Sequence, residues 1–231
     1  MTQPVFSWPI TPKNKTKIDV VFCDPGYAKG YNDSKNAWMV GCQHPGWDWN
    51  LTSGGDSDYG YPIKTSIPGT VGFSSFNTSG SWGGIVTVRA DEWVRQYFED
   101  NLKVKIPVLE QQLAHLMQLA VVPGQRVEAG QVVGSMGKGK NGAFAAHLHQ
   151  EWRKVALAAD DWNVKNKQVV LDTRLDPAQV YASLHFDDVT NIIPQGQLYL
   201  PSGKVSLNGV TYDTKGLVVN ATSKVSYIRT E

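Results

Sequence analysis

Along most of this chain, apolar residues recur in short β-branched or aromatic runs cut at close intervals by glycine and proline. That pattern predicts an all-β, mainly antiparallel domain built from hairpins. Extended segments are expected near residues 18–22, 47–51, 84–89, 113–119, 131–135 and 146–154, with another over 66–73 broken at Pro68-Gly69. Two stretches leave the two-residue period. Between Asp91 and Asp100, Trp93, Val94, Tyr97 and Phe98 fall at helical spacing, which predicts one short inserted helix with this stripe turned to the core. Asp176-Pro177 opens a second short helix, because proline suits the first helical turn. From about residue 188 the chain becomes a string of short strands and turns, with Asn208-Gly209 as a hairpin signal. The expected organisation is a main domain over 1–187 and a β-rich extension over 188–231.

Alternation then locates candidate chemistry. Strand side chains two apart share a face, so the segment 145–152 aims His147 and His149 to one side and Leu148 to the other. In His44-Pro-Gly-Trp-Asp48 the Pro45-Gly46 pair argues against a helix, and a turn entering a strand puts His44 and Asp48 on one face with Trp47 and Trp49 toward a core. Imidazoles and a carboxylate drawn from these pairs can hold one zinc ion and leave a coordination position open, the composition of a catalytic rather than a structural site. Glu151, two residues past His149, shares its face and either orients a ligand or meets solvent. Of the five histidines, only His185 stands outside any motif, and it is read as structural.

Other features narrow the picture. A net charge of +1 gives no reason to expect nucleic acid as a partner. No run of about 20 apolar residues occurs, so no membrane span is expected. The start, Met-Thr-Gln-Pro-Val-Phe-Ser-Trp, shows no basic region followed by an apolar stretch, and no signal peptide is read there. Cys23 and Cys42 are too few for a disulfide framework and are expected as buried free thiols, with a single disulfide between them as the alternative. A fourth-ligand role for Cys42 would close the site, which disfavours it. Asp56 and Asp58, in a glycine-containing stretch, supply too few oxygens for calcium and are expected on a solvated rim loop. The loop at 134–142 lacks Gly-Lys-Ser/Thr and a following helix, which excludes a phosphate-binding loop.

The blocks 43–48 (Gln-His-Pro-Gly-Trp-Asp), 62–71, 83–88, Ala114-His-Leu116, 127–134 and His147-Leu-His-Gln-Glu151, in that order, resemble the lysostaphin/LytM-type zinc endopeptidases. The resemblance runs over roughly residues 40–155. It implies a barrel-sandwich peptidase core with a substrate groove, and cleavage of peptide cross-links of bacterial peptidoglycan through a metal-activated water. By residue, it implies one Zn2+ per chain on His44, Asp48 and His149, with His115 and His147 as the catalytic imidazoles. Three departures stand out. Gln150 replaces the usual Phe, Gln111 to Ala114 lack the aromatic often found before His115, and about twenty residues over 90–110 are inserted ahead of it. The implied partner is a bacterial wall peptide, with the chain monomeric and acting outside as a phage-encoded lysin or virion component, or as a secreted bacterial enzyme. Two other classes are carried beside it. One is a metal-free relative that binds the wall or activates another hydrolase, against which the intact His44, Asp48, His147 and His149 argue. The other is a carbohydrate-binding module resting on eight tryptophans, which serve core packing equally well.

Overall fold

A computed structural model describes residues 4–27, 42–77, 80–164 and 167–189, and the strand residues 198–199, 204–207, 210–213 and 218–219. The strands are β1 (Phe6–Ser7), β2 (Thr16–Val20), β3 (Trp47–Leu51), β4 (Pro62–Lys64), β5 (Gly69–Phe76), β6 (Gly84–Ala90), β7 (Glu110–Leu119), β8 (Arg126–Val127), β9 (Val132–Met136), β10 (Leu148–Arg153), β11 (Arg174–Leu175) and β12 (Phe186–Asp187). Helices α1 (Glu92–Leu102), α2 (Lys167–Thr173) and α3 (Pro177–Ser183) lie between them, α3 capped by the Asp176 carboxylate, which accepts from the Ala178 N–H at 2.8 Å.

One ten-stranded sheet runs β2-β3-β10-β7-β6-β5-β8, with β9 joining β7, β4 joining β9 and β11 joining β10. Every pairing in it is antiparallel. Among the described residues no pairing links its two ends, so the sheet is open rather than a closed barrel. The long strands β5, β6 and β7 follow from β-branched runs such as Ile85-Val-Thr-Val88, which pack well on a pleated surface. The tail strands β13 (Leu198–Tyr199), β14 (Lys204–Leu207), β15 (Val210–Asp213) and β16 (Val218–Val219) pair among themselves as β13–β16 and β14–β15. The opposition of Leu207 to Val210 is the two-residue hairpin that Asn208-Gly209 signals; those two residues lie outside the described ones.

The core side of the sheet is set by strand parity. Register places Trp49 opposite Leu148, and both are fully buried together with Leu113 and Trp152. Against them pack Val94 and Phe98 of α1, Val180 of α3, and an aromatic cluster of Phe6, Trp8, Tyr181 and Phe186. Helix α1 is the expected insertion, with one correction. Val94 and Phe98 are buried, but Trp93 is 51% exposed, because the helix turns only a narrow stripe inward. Two further expectations are corrected. Cys23 and Cys42 form a disulfide instead of remaining thiols, since the turn at Cys23 is drawn back beside the entry to β3. Asp58 is 1% exposed, not solvated, because its carboxylate accepts from the buried Leu51 N–H at 3.3 Å; Asp56 is the exposed member of that pair.

Candidate metal centre

Register brings the two motifs together. On the central strands, His149 of β10 lies directly opposite Asp48 of β3 on one side and Ala114 of β7 on the other. Residues opposite one another share a face, so Asp48 and His149 point the same way, while Trp49 and Leu148 point into the core. His44 precedes β3 and folds back over it. Its Nε2 lies 3.1 Å from Asp48 Oδ1, and His149 Nδ1 lies 2.8 Å from the same oxygen. One donor atom each from His44, Asp48 and His149 falls within 4.8 Å of the others, and all three residues are buried. This cluster is placed to bind a metal ion.

Each imidazole has its second nitrogen held. His44 Nδ1–H donates to the Val21 carbonyl at 3.1 Å, which directs Nε2 inward. His149 Nε2 faces Glu151 Oε1 at 3.4 Å, leaving Nδ1 to the cluster. Metal-ligating histidines characteristically give their other N–H to a carbonyl or carboxylate, so this donor set fits an ion. Burial would raise the Asp48 carboxyl, yet hydrogen bonds from His149 and His44 hold it well below the usual carboxylate range. Burial opposes charge on His149, but Asp48 and Glu151 outweigh it and lift the imidazole to about 9. Glu151 is itself fully buried, and Arg153, His149 and Arg174 keep it ionised against that burial.

His115 reaches the same face by a break in strand parity. Gly84 of β6 pairs with Leu116 and Ile85 with Ala114, so His115 is the extra residue of a β-bulge, with φ of 64°. Simple alternation would put it beside Leu113 in the core; the bulge turns it out. Its backbone N–H and its Nδ1–H both donate to the Trp82 carbonyl, at 3.1 and 2.9 Å, which leaves Nε2 free toward the cluster. Its ring centroid lies 4.6 Å from that of His147 and 5.8 Å from that of His149. Burial foremost, then His147 and His149, push its imidazole down to about 3, so it is neutral. His147 sits just before β10, bridged to Gly137, with Nδ1–H donated to the Ala145 carbonyl at 2.9 Å and Nε2 3.9 Å from Asp48 Oδ2.

All the singled-out residues thus converge except His185, whose backbone carbonyl accepts from Phe6 far from the cluster. Sequence reasoning missed the walls. Trp162 packs beside His44, His149 and Trp82, with ring centroids 5.4–6.3 Å apart, and Trp82 stacks on His115. Arg153 was legible, being two residues past Glu151 on the same face; Arg174 and Trp162 carried no signal. The Gln150 departure has a plain account. It points away from the cluster, and its Oε1 accepts from Trp49 Nε1–H at 2.9 Å and Tyr181 O–H at 2.8 Å.

Residues 105–164 match the model of Peptidase family M23, a span holding His115, His147, His149 and Glu151 but not Asp48, which joins them through strand register, or His44, which reaches Asp48 from the segment ahead of β3. The antimicrobial peptidase lysostaphin from Staphylococcus simulans superposes with a TM-score of 0.53 at 17% identity, over 88% of this chain and 66% of that one. The solution structure of lysostaphin gives 0.53 at 19% identity over the same shares. The SpoIIQ–SpoIIIAH pore-forming complex gives 0.49 at 16% identity, over 81% of this chain and 94% of the matched one. No curated protein matches the chain. The match to Peptidase family M23 is confined to residues 105–164, and the likeness to lysostaphin shows the fold.

Proposed function

We propose that this chain is a zinc-dependent endopeptidase that cleaves peptide cross-links of bacterial peptidoglycan, with one zinc held by His44, Asp48 and His149. The observation that carries the reading is the convergence of three buried donors within 4.8 Å, flanked by two further imidazoles that are not needed as ligands. Zinc in such a site supplies Lewis-acid polarisation of a scissile carbonyl and acidifies a water.

The rest of the chemistry belongs to the protein. His115 is neutral and, with Nδ1–H fixed on Trp82, offers Nε2 as a proton acceptor. His147, fixed likewise on Ala145, offers Nε2 from the open side of the cluster. One of them takes the proton from the attacking water, and an N–H then stabilises charge on the former carbonyl oxygen or protonates the leaving amine. Trp82 and Trp162 shield the cluster, which strengthens these electrostatic effects. We assign residues 1–187 to the peptidase and 188–231 to attachment or wall targeting, and the chain's place of action to the bacterial wall, as a phage-encoded or secreted lysin.

The test is to measure zinc per chain, then digest purified walls of several cross-link types and identify the new amino termini. About one zinc and new termini at the cross-link are expected. Zinc without cleavage would favour a wall-binding or hydrolase-activating protein; no zinc would overturn the proposal.

A further inference from the structure

Behind the ligand His149 the structure buries an ion network that the chemistry above does not use. Arg153 and Arg174 lie directly opposite one another on β10 and β11, and neither is more than 1% exposed. Two guanidinium groups side by side in the interior are costly unless anions neutralise them. Glu151 Oε2 sits between them and accepts from both, from Arg153 Nε at 2.8 Å and from Arg174 Nε at 3.2 Å. The other ends of the same two side chains grip one loop. Arg153 Nη1 and Nη2 donate to the carbonyls of Ala158 and Ala159, at 2.9 and 3.3 Å. Arg174 Nη2 donates to the carbonyl of Asp161 at 3.0 Å and to its carboxylate at 2.9 Å. The next residue in that loop is Trp162, the wall beside His44 and His149.

We propose that Arg174, a residue beyond the segment that matches the family model, is a positioning residue that locks the ligand His149, through Glu151, and the wall Trp162, through Asp161, into one rigid unit. A planar guanidinium forks to two acceptors at once, which a lysine ammonium in the same place cannot reproduce. One side chain therefore sets both the orientation of a ligand and the position of a groove wall. The inference rests on the zinc centre proposed above.

Zinc affinity of the full chain, read by competition with a chromogenic chelator, tests it on wild type, Arg174→Met, Glu151→Gln and the double variant. Each single change should weaken zinc binding by about 10- to 100-fold, the range for groups that orient a metal ligand. The double variant should bind no more weakly than Glu151→Gln alone, because Arg174 acts through Glu151. Wild-type affinity in a cooperatively melting Arg174→Met, or additive losses in the double variant, would overturn the proposal. If Arg174→Met does not fold, Arg174→Lys and Asp161→Asn decide. Lysine should weaken zinc binding less than Glu151→Gln does. Asp161→Asn should keep zinc affinity and kcat but raise KM for a soluble cross-link peptide and shift Trp162 emission. Unchanged affinity in the first, or unchanged KM in the second, would overturn it. A wild-type protein that binds no zinc is a different failure, since it removes the metal centre itself before any variant is compared.

Discussion

His44 and His149 face the same carboxylate oxygen of Asp48, yet what holds each imidazole differs. His44 lies ahead of its strand, in a segment secured by a covalent bond. The Cys23–Cys42 disulfide ties the turn at residue 23 to the entry of β3, the Cys23 N–H donates to the His44 carbonyl at 2.9 Å, and Val21 two residues earlier accepts from His44 Nδ1. His149 lies inside a strand, paired on both sides, with a buried glutamate and two buried arginines behind it. One arm is a loop made rigid by a crosslink; the other is already rigid and uses charge to fix a side-chain orientation. The difference teaches where each arm is vulnerable. The first should fail by loosening, the second by misorientation.

The largest effect should come from destroying the point where the arms meet. Replacing His44, Asp48 or His149 by Ala should take zinc from about one per chain to none and abolish cleavage together. A His149→Ala protein that keeps stoichiometric zinc and cuts walls would remove the assignment. Next, His147→Ala and His115→Ala should retain zinc while losing on the order of 10² to 10⁴ in rate, the loss expected for a positioned acid–base group. Zinc loss in His147→Ala would instead make it a ligand.

A third experiment addresses the loop arm alone. Cys23→Ser/Cys42→Ser, or wild type under a reducing agent, should lose about 2–4 kcal/mol of stability in denaturant titrations through the freed chain entropy. Zinc affinity should fall with it, and unchanged affinity would show that the crosslink does not hold His44. Smaller still is the effect at the crossing of the arms. A Cβ on Gly46 would lie 2.1 Å from the Gln150 carbonyl oxygen, so Gly46→Ala must push β3's entry away from β10, at about 1–3 kcal/mol in thermal melts. A wild-type Tm would contradict that contact.

The smallest effect is a pH dependence. Burial, His147 and His149 hold His115 near 3, against 6.5 when exposed. Between these values the unfolded chain takes up a proton that the native chain refuses, so this contribution to stability is complete above pH 6.5 and declines as pH falls toward 3. Between pH 7 and pH 5 wild type should lose about 1–2 kcal/mol that His115→Gln does not lose. Parallel pH profiles would exclude the buried neutral histidine.

Much of the centre was legible because it obeys alternation. His147, His149, Glu151 and Arg153 declare a common face by spacing alone, and Trp47 and Trp49 declare the opposite face around Asp48. Most strands fell where the β-branched runs put them, with bounds shifted by a residue or a few. What could not be read were relations between distant segments. The disulfide needs the turn at Cys23 to return to β3, and Arg174 reaches Glu151 only because β11 pairs with β10. Trp93 was misjudged because helical spacing gives a stripe but not its width.

The bulge at His115 has a consequence for how β7 tolerates change. Leu113 before the bulge and Leu116 after it both face the core, an odd and then an even position, so the strand switches its count across His115. Substitutions there alter a single side chain. Removing the extra residue would instead restore simple alternation opposite β6, leaving no side chain at this point to turn toward the cluster. Deletion and insertion around this point are therefore more damaging than any exchange of residue. A sequence comparison of such domains should find the length of this strand held fixed even where its letters vary.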